Sequence, residues 1–141
     1  METPKFQLDI ITPFKRVYSG EVESVVAPGF EGYFGVLARH APLVSAIQIG
    51  EIKVETGTST LHFATSGGFA EVLPKKVTIL AEAAEDVTEI DVARAEAARD
   101  RARRRLAEGK GVWDIDRARI ALARAENRLR LAKKLTQANI R

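Results

Sequence analysis

Cysteine is absent from this chain of 141 residues. That excludes a disulfide framework, a thiolate metal site and a cysteine nucleophile, and it suits a reducing compartment. Histidine is nearly absent: His40 and His62 are the only two, and neither falls in a metal-ligand spacing such as H-E-x-x-H. A surface or edge role is read for His62, and a packing or interface role for His40. No apolar run approaches the roughly 18 residues of a membrane-spanning helix. The start, "METPKFQLDI", has no basic end followed by an apolar stretch, so it is not read as a signal peptide and the chain is expected to be soluble. There is no Walker A pattern, and "TSGGFAE" is not the G-x-S-x-G of a nucleophile elbow. Its glycines are expected to serve a tight turn or a close backbone approach. No catalytic residue and no metal ligand is assigned, and no enzymatic activity of the chain's own is expected.

What is present is divided. Residues 1–89 carry 7 Lys/Arg against 12 Asp/Glu, a balance of −5, and residues 90–141 carry 15 against 7, a balance of +8. Such asymmetry points to two parts with different partners, the basic one drawn to acidic protein surfaces, nucleotides or nucleic acid.

The acidic part alternates. In "FQLDIIT", Phe6, Leu8 and Ile10 fall on one side with Gln7 and Asp9 between them, the period of a strand with one buried face. Strand-like runs follow in "EVESVVA", "PLVSAIQIG", "EIKVETG", "TLHFATS", "GFAEVL" and "KKVTILAEA". Turn signals at Tyr18–Gly20, Pro28–Gly29, Gly50, "TGTS", Gly67–Gly68 and Leu73–Pro74 separate them. Short strands at this spacing predict an antiparallel sandwich or barrel. The strand pattern fades near Ala84, and the domain is taken as 1–86.

Residues 87–141 change to helical period. Thr88 and Asp91, three apart, read as a capping box, so a helix is expected to start at Thr88. Its apolar stripe is Ala95, Ala98, Ala102 and Leu106. Gly109 and Gly111 break it, Asp114 can cap a second helix running toward Lys134, and Ala118, Leu122, Ala125, Leu129 and Ala132 form the second stripe. The prediction is an antiparallel two-helix hairpin. A buried alanine contributes far less than the roughly 1.5–3 kcal/mol of a buried leucine. The hairpin is therefore expected to be marginal by itself and able to unpack against a better surface.

Six arginines lie between Arg94 and Arg105. Helical spacing puts Asp91, Arg94, Arg101 and Arg105 on one side of the first helix, and Arg117, Arg124 and Arg128 on one side of the second. Converging guanidinium groups suit phosphate oxygens. Arg99, Arg103 and Arg104 point elsewhere, as a solvated face. The plainer alternatives are that Asp91 is a capping acid, that Arg94 pairs with it at i,i+3, and that the whole row is solvated. A nucleic-acid grip would carry aromatic stacking residues among the arginines, whereas only Trp113 is present and acids interrupt the run.

"GFEGYFGVLARHAPLVSAIQIGEIKV" and "SGGFAEVLPKKVTILAEAAE", followed by a basic helical hairpin, closely resemble the epsilon subunit of bacterial F-type ATP synthases over nearly the whole chain. The resemblance implies a sandwich of about ten strands followed by two helices. It implies a non-catalytic place on the rotating central stalk, where the sandwich packs on the gamma subunit and the c-ring at the cytoplasmic side of the bacterial membrane. The turn in "PGFEGYFG", with Glu31 and Tyr33, would approach the c-ring, although many members carry an acid where this chain has Tyr33. The region of His40 would face gamma. The hairpin would inhibit ATP hydrolysis when extended into the alpha and beta subunits. Some members bind ATP in the folded hairpin through I/L-D-x-x-R-A, which Ile90, Asp91, Arg94 and Ala95 match in full. Glu85, Arg101, Arg124 and Arg128 are the counterparts of the remaining site residues. The acids, Ile90 and Ala95 would lie around base and ribose, and the arginines at the phosphates. ATP would be a regulatory ligand, with no cofactor required. A purely structural coupling subunit without ATP sensing is the alternative within the same family.

Overall fold

The structure is a computed structural model that describes residues 3–140, with side chains described through Thr136. It comprises two compact units, divided between Asp86 and Val87.

The first unit is a β-sandwich of eight strands: β1 (Phe6–Ile11), β2 (Arg16–Val22), β3 (Ser24–Gly29), β4 (Gly32–Leu37), β5 (Leu43–Glu55), β6 (Thr60–Val72), β7 (Lys76–Ala81) and β8 (Ala84–Asp86). Their order is β2-β1-β7-β6-β5-β3-β4, with β8 also paired to β6. Neighbours are antiparallel except β1 and β7, which run parallel with Gln7 opposite Lys76 and Ile11 opposite Leu80. The period-two pattern is realised as expected. Leu8, Ile10, Ile52, Val54, Val77 and Ile79 are fully buried in one continuous core.

The strand count differs from the family expectation because β5 and β6 are 13 residues each. The halves of β6 keep different neighbours: Phe63–Thr65 pair with β8, and Gly68–Val72 pair with β7. Counted as halves, the two long strands restore the implied ten. Gly50 and Gly67–Gly68 are therefore not turns but points inside these strands. At Gly50 a Cβ would lie 2.7 Å from the Tyr33 hydroxyl and 2.9 Å from the Pro28 ring. At Gly68, with φ +148°, a Cβ would lie 2.0 Å from the Leu80 carbonyl oxygen. Glycine is required there by close backbone approach.

Two further turn signals are corrected. Tyr18–Gly20 lies within β2, and Pro28–Gly29 ends β3, the turn itself falling at Phe30–Glu31. Strands β2, β4 and β8 were not anticipated from the alternation. β2 and β4 lie at the ends of the sheet path, where burial is least regular, and β8 is only three residues long. The "TGTS" and Leu73–Pro74 signals are turns: the Thr56 hydroxyl accepts from the Ser59 amide at 3.1 Å, and Leu73 and Lys76 exchange backbone bonds.

The second unit opens with a single 3₁₀ turn at Val87–Glu89, followed by α1 (Val92–Glu108) and α2 (Ile115–Ile140). The expected start at Thr88 is wrong. Thr88 belongs to the 3₁₀ turn, and Asp91 is the N-cap. α2 also continues beyond Lys134, because no Gly or Pro interrupts it. Ala95, Ala102, Ala118 and Ala125 are buried, with Ala98, Leu106, Leu122, Leu129 and Ala132 half-buried on the same stripes. Asn127 and Leu131 are buried too, outside the anticipated stripe.

One carboxylate in the sandwich is buried, and its environment makes stability pH-dependent. Asp9 accepts from the Ser19 hydroxyl at 2.7 Å and the Gln7 amide at 2.9 Å, and its second oxygen lies 3.3 Å from Lys76 Nζ. The Ser19 and Gln7 hydrogen bonds hold its carboxyl below the ordinary aspartate value against the opposing effect of burial, with Lys76 assisting. A depressed folded-state pKa adds stability above the unfolded value and loses it as pH falls through the folded one. The urea midpoint is expected to fall between pH about 6 and about 3, the range spanning the aspartate pKa. In Asp9→Asn that fall is expected to shrink; an unchanged fall would remove Asp9 as its source.

Candidate nucleotide site and docking face

The candidate nucleotide residues divide between the units. Glu85 lies in β8, half-buried and opposite Ala64 of β6. The other seven belong to the helical unit.

Ile90, Asp91, Arg94 and Ala95 are gathered by the start of α1. Asp91 has extended backbone (φ −80°, ψ 97°), and its Oδ1 accepts from the Arg94 amide at 3.0 Å. Its carbonyl accepts from the Ala95 amide at 3.0 Å, and the Ile90 amide donates to the Val87 carbonyl at 3.4 Å. Asp91 is thus a capping acid whose bond to residue 94 is through the backbone. Among the described residues no ion pair joins it to the Arg94 guanidinium. Asp91 and Arg94 are exposed, whereas Ala95 is buried in the seam.

Arg101 lies seven residues after Arg94 and so returns to the same helix face. Both side chains are exposed, and neither guanidinium has a hydrogen bond or ion pair among the described residues. On α2, Arg124 and Arg128 are one turn apart, the first exposed and the second half-buried, and both are engaged by other groups. Arg94 thus lies in the first turn of α1, where the helix-start amides favour negative charge, and Arg101 lies two turns further along the same face.

The wider arginine row is altered in two places. Arg105 is not available to it: its guanidinium carbon sits 4.4 Å from the centre of the Trp113 ring. Arg99, expected on a solvated face, is half-buried and pairs with Asp100 at 3.0 Å and Glu96 at 3.9 Å. Arg103 and Arg104 are exposed, as expected. No cluster of potential metal ligands occurs among the described residues.

The candidate contact residues of the sandwich fall in two places. Glu31 is exposed in the β3–β4 turn beside an exposed Phe30. Tyr33 is 59% exposed, yet its hydroxyl is fixed by accepting from the Glu51 amide at 3.1 Å. His40 is half-buried after β4, its Nδ1 donating to the Ala41 carbonyl at 2.7 Å. The adjacent Arg39 has φ +65°, and its amide donates to the Pro74 carbonyl at 2.9 Å, holding this connection to the β6–β7 turn. His62 lies inside the central strand β6, half-buried, 3.0 Å from Glu51 Oε1.

A feature that alternation did not reveal is an apolar row on the outer face. Ala46, Phe69, Leu80 and Ile11 are successive cross-strand partners on β5, β6, β7 and β1. Phe69 is 60% exposed and Leu80 55%, and Val44, on the same face of β5, is 70% exposed. Both faces of these strands carry apolar residues, so sequence alone did not mark this row as a separate surface. Contiguous exposed apolar area of this kind marks a docking site.

Residues 5–87 match the family of the ATP synthase delta/epsilon chain beta-sandwich domain, and residues 88–133 that of the delta/epsilon chain long alpha-helix domain. The chain is 53% identical over 130 residues to the ATP synthase epsilon chain of Syntrophobacter fumaroxidans, covering 92% of this chain and 97% of that one. It is 44% identical over 130 residues to that of Halalkalibacterium halodurans, covering 92% and 98%. Among solved structures it resembles a chain of the Euglena gracilis mitochondrial ATP synthase OSCP/F1/c-ring assembly, with TM-score 0.75 and 26% identity over 90% of this chain and 81% of that one. A chain of the Tetrahymena thermophila mitochondrial ATP synthase central stalk and c-ring shares the fold, with TM-score 0.59 and 16% identity over 96% and 99%.

The cap and ligand roles of Asp91 are separable. Asp91→Ala is expected to destabilise the hairpin by about 1 kcal/mol, and Asp91→Asn, which retains a capping oxygen, by far less. Thermal melts followed by helical circular dichroism check this; equal losses in the two variants would contradict capping as the structural role.

Proposed function

Because the chain belongs to the ATP synthase delta/epsilon chain family, we propose that it works as a non-catalytic central-stalk subunit that couples gamma to the c-ring and restrains ATP hydrolysis. The observation that carries the coupling role is the exposed apolar row of Ala46, Phe69 and Leu80, which gives the sandwich a ready contact for gamma. The His40 region extends that contact, and the turn bearing Glu31 and Tyr33 meets the c-ring. The protein is peripheral, on the cytoplasmic side of the bacterial membrane. No helix among the described residues is long and apolar enough to cross one.

The hairpin is the regulatory half. Its seam is built largely of alanine, so it gains little from burial and can be exchanged for contacts with the alpha and beta subunits. The excess positive charge of residues 90–141 complements an acidic target. ATP acts as a regulatory ligand of the folded hairpin, its phosphates on Arg94, Arg101, Arg124 and Arg128 and its base and ribose near Ile90, Asp91 and Ala95. Two exposed guanidinium groups on one face of α1, those of Arg94 and Arg101, without a partner among the described residues, support this reading. ATP that binds the folded form more tightly than the extended one shifts the population toward the folded form, and inhibition follows when ATP falls.

Two measurements test the two halves separately. Phe69→Asp alters an exposed side chain, so the fold is expected to persist while affinity for gamma falls at least about tenfold, as for a central aromatic anchor. Unchanged affinity would remove the apolar row from the interface. Calorimetric titration of the full chain with ATP is expected to give saturable one-to-one binding that Arg94→Ala and Arg101→Ala abolish. No binding at millimolar ATP would leave a coupling subunit without a nucleotide sensor.

A further inference from the structure

The tip of the hairpin contains a side-chain assembly that none of the roles above uses. Arg105, in the last turn of α1, stacks on Trp113 with its guanidinium carbon 4.4 Å from the ring centre. The indole Nε1–H of Trp113 donates to Glu108 Oε2. Backbone bonds hold the two ends in place: Gly109 N–H to the Arg105 carbonyl at 3.2 Å, and Trp113 N–H back to the Gly109 carbonyl at 3.2 Å. Gly109, with φ +84°, lets the chain leave α1, and Asp114 Oδ1 accepts from the Arg117 amide at 3.2 Å to start α2.

These contacts exist only while the turn is bent. In a continuous helix, Arg105 and Trp113 would be about 12 Å apart along the axis. Glu108 and Trp113 would be roughly 7.5 Å apart and would face different sides. Straightening the tip therefore breaks both the stack and the indole hydrogen bond. The alanine seam provides little competing stabilisation, so the tip contacts have leverage on the balance.

We propose that Arg105, Trp113 and Glu108 form a latch that holds the hairpin bent, so that its strength, rather than nucleotide alone, sets how readily the two helices straighten. The latch deepens the regulatory reading above and rests on it for its role in the assembled enzyme, but its effect on the turn does not depend on ATP. It is a conformational device built into the tip and separate from the arginines assigned to phosphate.

The absence of cysteine allows a direct test in the full chain. Ala97→Cys on α1 and Ala123→Cys on α2, both exposed, carry spin labels whose separation reports the bend. Packed helix axes lie about 8–10 Å apart, whereas these two positions would be about 39 Å apart along one straight helix. Without ATP, Arg105→Ala and Trp113→Ala are each expected to raise the long-distance population roughly threefold to tenfold, the range a partly exposed cation–π contact supports. Trp113→Phe, which keeps a ring but loses the donor, is expected to fall between wild type and Trp113→Ala. Arg104→Ala removes the same charge from an exposed neighbour and is expected to change nothing. A distance distribution unchanged in both Arg105→Ala and Trp113→Ala would overturn the latch, as would an equal effect from Arg104→Ala. Hydrolysis by the reconstituted complex separates the two levels. Latch variants that straighten in isolation yet leave inhibition unaltered would refute the regulatory reading and leave the latch standing.

Discussion

At Gly68 the backbone of β6 passes so close to β7 that a Cβ would lie 2.0 Å from the Leu80 carbonyl oxygen. That crossing lets one strand serve two sets of neighbours. Before it, β6 pairs with β8; after it, β6 pairs with β7, while β5 follows on its other side throughout. The order of the sheet, the continuity of the core and the placement of the exposed apolar row all depend on this exchange. The next residue, Phe69, stands outward between Ala46 and Leu80, so the glycine that closes the sandwich also presents the aromatic side chain of the apolar row.

The helical unit is held by different means. Its buried positions are mostly alanines, and much of its local definition comes from polar groups at the ends of helices: Asp91 at the start of α1, Asp114 at the start of α2, and the Arg105–Trp113–Glu108 assembly between them. An N-cap contributes about 1 kcal/mol, comparable with what a single weakly burying side chain adds. An element stabilised in this way changes its balance when one or two side chains are altered. The sandwich rests instead on its fully buried Leu, Ile and Val.

Much of this was legible in the sequence. Period two marked β1 and the halves of β5 and β6, and the change to helical period with the shift in charge marked the second part. Of the strands missed, β2 and β4 lie at the ends of the sheet path, where each has one neighbour on that path and little regular burial, and β8 is three residues long, too short to show a period. The glycines misled for a physical reason. Gly50 and Gly68 answer to close approach by another segment, which looks like a turn signal when only the local chain is visible. Thr88 failed as a cap because a 3₁₀ turn precedes the helix, leaving the cap to Asp91. Among the site residues, helical spacing put Asp91, Arg94 and Arg101 on one side of α1, whereas Ile90 and Ala95 joined them only through the family resemblance. The loss of Arg105 to Trp113 followed from neither, because it depends on how the tip bends.

The parallel pairing of β1 with β7 has a consequence for how the molecule is made. Gln7 finds its partner in Lys76, and Ile11 in Leu80, so the first strand of this unit to be made waits for nearly the last one. Until then β1 has only β2, and the edge it will share with β7 is open. Long-range pairing of this kind slows folding and prolongs exposure of unsatisfied strand edges. The hairpin that follows needs only contacts between its own neighbouring helices. Synthesis thus delivers a slow, late-closing sandwich first and a quick, local hairpin after it.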